Sequence, residues 1–232
     1  MINKIARSIL AIATFSFVVS CSCLSGQFSY TPPPSAHFSP SLYERIYPYP
    51  LEQIWNASID YIADSFFVID HVIKDSKIIN LSFGVDRPEK YLDCGTTESW
   101  VSGVFEKKRL YSFPTSSKYP RYEINKDGSL VCVERNVNLN GKINIFFTEI
   151  NKNKTKIRVK TRYILQYKAK DYLDCKQLLT SDTITVSATT GEQSTYRDIT
   201  VCQPTHLLES GLLNGIEKKI RKTQGGMVSL IE

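Results

Sequence analysis

Catalytic signatures are missing from this sequence. There is no CxxC, HExxH or CxH grouping. The three histidines, His37, His71 and His206, stand far apart, so no local metal site is written in the chain. No GxSxG elbow, P-loop or dinucleotide fingerprint occurs, which removes the common hydrolase, nucleotide and redox-cofactor scaffolds. The expectation is a protein without metal, cofactor or catalytic residues. Strong charge is absent too: +6 over 232 residues is too mild a balance to expect nucleic acid. Beyond the N-terminus no apolar run approaches the roughly 18 residues that mark a membrane-spanning helix.

What is present begins at residue 1. MINKIARSILAIATFSFVVS carries Lys4 and Arg7, then an uncharged apolar stretch of 12 residues, Ser8 to Val19. A spanning helix needs about 17–25 residues, so this reads as the core of a secretory signal covering residues 1–20. Val18-Val19-Ser20-Cys21 resembles the lipobox of bacterial lipoproteins. That resemblance implies cleavage before Cys21, diacylglycerol on its sulfur and further acylation. One acyl chain holds a protein only reversibly, whereas two anchor it stably. Ser22 after the cysteine, in place of Asp, implies sorting to the outer membrane, with the body on the periplasmic face. The alternative is ordinary cleavage and a free secreted protein. Residues 21–41 are rich in Ser and Pro, lack Lys, Arg, Asp and Glu, and read as a tether.

Two of the 29 basic residues leave with the signal, so the remainder carries 27 against 23 acids, a net +4. The remaining length supports a sizeable core, and 11% aromatics with 13 Tyr suggest an ordered, sheet-rich body. Cys94, Cys132, Cys175 and Cys202 lie in that body, and an even count in an oxidising compartment points to two disulfides. The preferred pairing is Cys94 with Cys202 and Cys132 with Cys175. The rival is Cys94 with Cys132 and Cys175 with Cys202. The tetrapeptide YLDC ends at both Cys94 and Cys175, but its surroundings differ, so it marks no duplicated domain. Cys202 and His206, one helical turn apart, raise the idea of a thiol nucleophile. A paired Cys202 and a solvent-exposed His206 are the expectation.

Along residues 42–222 a single α+β domain is expected, followed by a flexible tail at 223–232. Leu42–Tyr47 reads as a strand. LEQIWNASIDYIADS follows at helical spacing, with Leu51, Ile54, Trp55, Ser58, Ile62 and Phe66 on one face. Phe66–Val72 and Ile78–Phe83 read as a hairpin. Residues 84–128, with three prolines, look irregular. Leu130–Asn138 and Lys142–Ile150 read as strands turning at Asn140-Gly141, a type I′ signal. Lys156–Tyr167 is the clearest strand: Ile157, Val159, Thr161, Tyr163, Leu165 and Tyr167 share one face. Lys156, Arg158, Lys160 and Arg162 share the other, as a solvated face or as a contact for anionic head groups. Thr183–Ala188 and Tyr196–Cys202 read as a hairpin around Gly191. A final helix begins near Pro204, with Leu208, Leu212 and Ile216 inward and Gly211 and Gly215 allowing close approach to a sheet. The class is a curved antiparallel sheet with an N-terminal and a C-terminal helix on one face.

IYPYP, LEQIWNASIDYI, FVIDHVIKDSKIINLSF and DITVCQPTHLLESGLLNGI, behind a lipobox and a Pro-rich segment, resemble BamC-like outer-membrane lipoproteins. The resemblance covers residues 42–83 and the last strand and helix. It implies a helix-grip fold and a non-enzymatic accessory role with an envelope protein partner in assembly or secretion. The chain departs from that pattern in having one domain, a short tether and four body cysteines. Two other classes stay open: a carrier of a lipid or small apolar ligand between helix and sheet, and an envelope hydrolase with a dispersed site.

Overall fold

The computed structural model describes residues 24–35, 38–196 and 200–228, with backbone alone for 223–228. The expected signal peptide, Cys21 and the last residues of the expected tail lie outside the described residues. In chain order the elements are β1 (Ser25–Thr31), β2 (Glu44–Tyr47), α1 (Leu51–Ala63), β3 (Val68–Ile73), β4 (Ile78–Val85), β5 (Leu92–Asp93), β6 (Thr96–Ser102), β7 (Arg109–Pro114), β8 (Arg121–Lys126), β9 (Ser129–Asn151), β10 (Lys154–Leu173), β11 (Gln177–Thr189), β12 (Ser194–Tyr196), β13 (Thr200–Pro204) and α2 (Leu207–Val228). Among the described residues sheet accounts for 56% and the helices for 18%, so the class is α+β with antiparallel sheet dominant.

The frame is the β9–β10 ribbon, paired in register from Thr155↔Glu149 to Leu173↔Val131. A 20-residue strand runs about 65 Å. Period-two alternation writes this ribbon: Ile157, Val159, Thr161, Tyr163, Leu165 and Tyr167 are all buried, facing Val137, Leu139, Ile143, Ile145 and Phe147 of β9. The sheet order is β11-β10-β9-β4-β3, with β2 beside the outer end of β10 and β8 beside the start of β9.

Asn140-Gly141 makes no turn. Both residues lie inside β9, opposite Ile164 and Tyr163. A Cβ at Gly141 would stand 2.2 Å from the Arg162 carbonyl oxygen and 2.8 Å from the Phe83 ring, so this glycine serves close approach across the sheet.

Two layers cover one face of the ribbon, at opposite ends. The helices cover the end near Phe147 and Ile157. α1 follows Pro50 in an extended conformation, carries Glu52 in its first turn, and buries Ile54, Trp55, Ala57, Ser58 and Ile62. Phe66 lies beyond the helix end and is exposed, unlike its expected inward placement, because the chain has turned at Asp64–Ser65. α2 buries Leu208, Leu212, Leu213, Ile216 and Ile220. Its Gly215 permits close approach to the Tyr61 ring of α1 rather than to a sheet, and Gly211 faces open space.

The other end is covered by a three-stranded sheet, β1-β6-β7. Two expectations change here. Residues 25–31, expected in the tether, form β1, paired with β6 from Ser25↔Ser102 to Thr31↔Thr96. Residues 84–128, expected to be irregular, hold β5 to β8. Their buried positions mix hydroxyls, at Thr97, Ser99 and Thr115, with Leu92, Val101 and Tyr122. The last hairpin also differs: β12 pairs with β13, Ser194↔Cys202 to Tyr196↔Thr200, while β11 pairs with β10.

Candidate functional site

The space between helices and sheet is filled. Trp55 meets Phe147 edge-on at 5.1 Å, and Phe83 meets Tyr163 at 5.8 Å. The open volume lies at the other end, beneath the small sheet. There a cleft of about 320 Å³, partly open to solvent, lies between β1 and β6 above and β8 to β11 below. Its walls are mainly apolar: Phe28, Ile124, Val133, Ala169, Ile184 and Val186. Most polar groups around it are engaged. The Tyr30 hydroxyl donates to the Val201 carbonyl (3.1 Å) and accepts from the Val201 N–H (2.9 Å). The hydroxyls of Thr97 and Thr115 bond each other at 2.9 Å. Arg135 donates to the Tyr122 hydroxyl and stacks 4.9 Å over that ring.

Among the described residues two lining groups are not engaged, the Asp171 carboxylate and the Tyr167 hydroxyl. The Tyr167 hydroxyl has no hydrogen-bond partner, although the residue is only 6% exposed. Burial raises its pKa, and nearby Arg135 opposes the rise. It stays a neutral donor at any physiological pH. A buried hydroxyl without a partner costs about 1–3 kcal/mol, and a ligand acceptor would return that. The arrangement suits a small molecule with an apolar body and a hydrogen-bond acceptor directed at the Tyr167 hydroxyl. A larger hollow, about 630 Å³, lies around Lys168, Lys170 and Ser181. It is a polar groove whose Arg121 and Glu134 already pair at 3.4 Å.

A second polar cluster is sealed. Glu209, on α2, accepts from the Tyr163 hydroxyl at Oε2 (2.8 Å) and from Thr190 at Oε1 (2.7 Å). His206 Nδ1 lies 3.7 Å from Oε1, longer than a hydrogen bond. Burial pushes the Glu209 carboxyl up, but His206, Thr190 and Tyr163 together outweigh it and hold the carboxyl below its usual range. His206 is buried, against the expectation of solvent, because Phe38 and Tyr43 pack on its ring at 5.3 and 5.4 Å. No substrate reaches these atoms. The cluster fastens α2 to β10 and to the end of β11.

The cysteines pair as Cys94–Cys202 and Cys132–Cys175. The first bond is fully buried and joins β5 to β13, so the Cys202 thiol is spent. The two YLDC segments sit differently. In the first, the Asp93 carboxylate accepts from the Gly95 N–H (2.9 Å), and Cys94 is buried. In the second, Asp174 and Cys175 form a turn at positive φ, and Cys175 is exposed. Glu123, Cys132 and Cys175 bring donor atoms within 4.8 Å. The two sulfurs are bonded to each other, so neither offers a thiolate to a metal.

Lys156, Arg158, Lys160 and Arg162 lie together on the outward face of β10, as their alternation requires. Lys156 pairs with Glu44 at 3.5 Å, and Arg158 stacks over Phe146 at 5.4 Å. Sequence reasoning did not find Tyr167 or Arg135 as site residues. Tyr167 looked like one more core position of its strand, and the cavity is closed by residues of strands far apart in sequence. No protein-family model, curated protein or solved structure matches this chain.

Proposed function

We propose that the chain is a non-enzymatic lipoprotein of the bacterial outer membrane, held through Cys21 with its body in the periplasm. It serves there as an accessory or interaction subunit in envelope assembly or secretion. The observation that carries this reading is Val18-Val19-Ser20-Cys21 behind a short apolar run. Two disulfides in the body fit the oxidising compartment on that side of the inner membrane. We read the two helices laid on one face of a long antiparallel sheet as a helix-grip arrangement, extended at its far end by the three-stranded sheet. The test is incorporation of labelled palmitate by bacteria expressing the full chain. Label is expected in the wild type and lost in Cys21→Ala, and an unlabelled wild type removes the reading.

The cavity supports a second reading, in which the body carries a small amphipathic ligand beneath the three-stranded sheet. Titration of the full chain with a fluorescent fatty-acid analogue tests it. Saturable binding is expected, weakened by Tyr167→Phe and abolished by Ala169→Phe, which fills the space. Absence of saturable binding removes this reading and leaves the first intact.

A further inference from the structure

The start of the folded body constrains where an anchor would sit. The Leu24 carbonyl accepts a hydrogen bond from Asn125 Nδ2 at 2.7 Å, and Ser25↔Ser102 is the first rung between β1 and β6. Four peptide steps separate Cys21 from Ser25. Fully extended they reach at most about 14 Å. The Ser25 end of the small sheet is therefore held close to any surface that the Cys21 acyl chains enter, in place of hanging from a 20-residue tether.

That same end carries the loop joining β6 to β7. Phe105 is 100% exposed and Val104 61%. Just behind them, on the outward face, Trp100 pairs with Leu110, which is 71% exposed. Lys107 and Lys108 are exposed beside the tip, and Lys108 Nζ lies 4.1 Å over the Trp100 ring. The one acid of the loop, Glu106, is taken up by Arg109 at 2.7 Å. Contiguous exposed apolar side chains signal a surface meant to be covered. An apolar tip backed by an indole and flanked by lysines matches the layers of a membrane boundary. Hydrocarbon takes Phe and Val, the interface takes Trp, and anionic phosphates take Lys.

We propose that the Val104–Phe105 tip dips into the phospholipid monolayer that holds the Cys21 anchor, as a second and shallow attachment that orients the body. The placement rests on the lipoprotein reading; the chemistry of the tip does not. The opposite end of the ribbon, with Ile150 and the basic stretch of β10, is then carried away from that surface. Arg162 lies eleven residues along β10 from Leu173, about 35 Å.

The test uses the full chain, purified in its mature form and reconstituted in phosphatidylethanolamine–phosphatidylglycerol vesicles with brominated acyl chains. Phe105→Trp and Ile150→Trp are compared in a Trp100→Phe background, and intact mass reports acylation separately. The expected result is a blue shift and loss of the added emission for Phe105→Trp, with Ile150→Trp unaffected. If acylated protein shows no bromine quenching at position 105, the tip stays in water and the proposal is overturned. If the mass shows no acyl groups, the anchor reading has failed by itself. The same unacylated protein added to the vesicles then decides the tip: quenching sustains it, and none overturns it.

Discussion

Replacing Tyr163 with Phe is the sharpest test of how the helix layer is fastened. The change removes one oxygen and leaves the ring that packs at 5.8 Å against Phe83. Both Tyr163 and Glu209 are 0% exposed, so water cannot replace the lost donor to Oε2. A buried hydrogen bond to a charged group is worth about 1.5–3 kcal/mol, and loss of that amount is expected in urea unfolding at pH 7. The pH dependence follows from the direction of the Glu209 shift. Its carboxyl is depressed in the folded state, so the cluster stabilises fully above the unfolded value of about 4.3 and loses that contribution as pH falls through the folded value. The difference between wild type and Tyr163→Phe should therefore be full at neutral pH and shrink under acid. A variant within about 0.5 kcal/mol of wild type at pH 7, or a loss unchanged far below pH 4, would refute the claim that a charged Glu209 anchors α2.

Three further outcomes are expected. Gly141→Ala should destabilise by about 2–3 kcal/mol in urea unfolding, since the added carbon meets backbone and cannot be accommodated by a rotamer; a neutral effect would mean the ribbon opens there easily. Loop-closure entropy gives about 4.8 kcal/mol for the 108-residue span of Cys94–Cys202 and about 4.0 for the 43 residues of Cys132–Cys175, so the paired Cys→Ala variants should rank in that order in urea. Alkylation of the unreduced, native body should leave Cys94, Cys132, Cys175 and Cys202 untouched and label all four after reduction and unfolding; label at Cys202 without reductant would reopen thiol chemistry beside His206.

The parts of the fold that were legible share one property: a half-buried surface with a clean period. β10 was readable because water and core alternate along it, and α1 because its inward residues recur every three or four positions. β9 was misread through a dipeptide with two uses. Asn-Gly favours a tight turn, but here the glycine lets the Arg162 backbone and the Phe83 ring come close. β6 escaped because Thr97 and Ser99, two of its three buried residues, carry hydroxyls that resemble loop composition, and β1 because Phe28 and Tyr30 stand in a stretch rich in Ser and Pro. The cavity could not be read at all. Tyr30, Arg135, Tyr167 and Val186 come from four strands, and only the finished topology brings them together.

The pairing of early with late segments has a consequence for how this chain is made. β2 has its partner more than a hundred residues later, in β10, and β5 waits as long for β13. The α1 surface is completed only by α2, the last element described. A chain emerging N-terminus first can pair β1 with β6 and β3 with β4 early, but leaves β2, β5 and the α2-facing side of α1 waiting for residues after 150. The β9–β10 hairpin, whose contacts are local, can form beforehand and offer a template. Closure then waits for β13, which brings Cys202 to a Cys94 made 108 residues earlier.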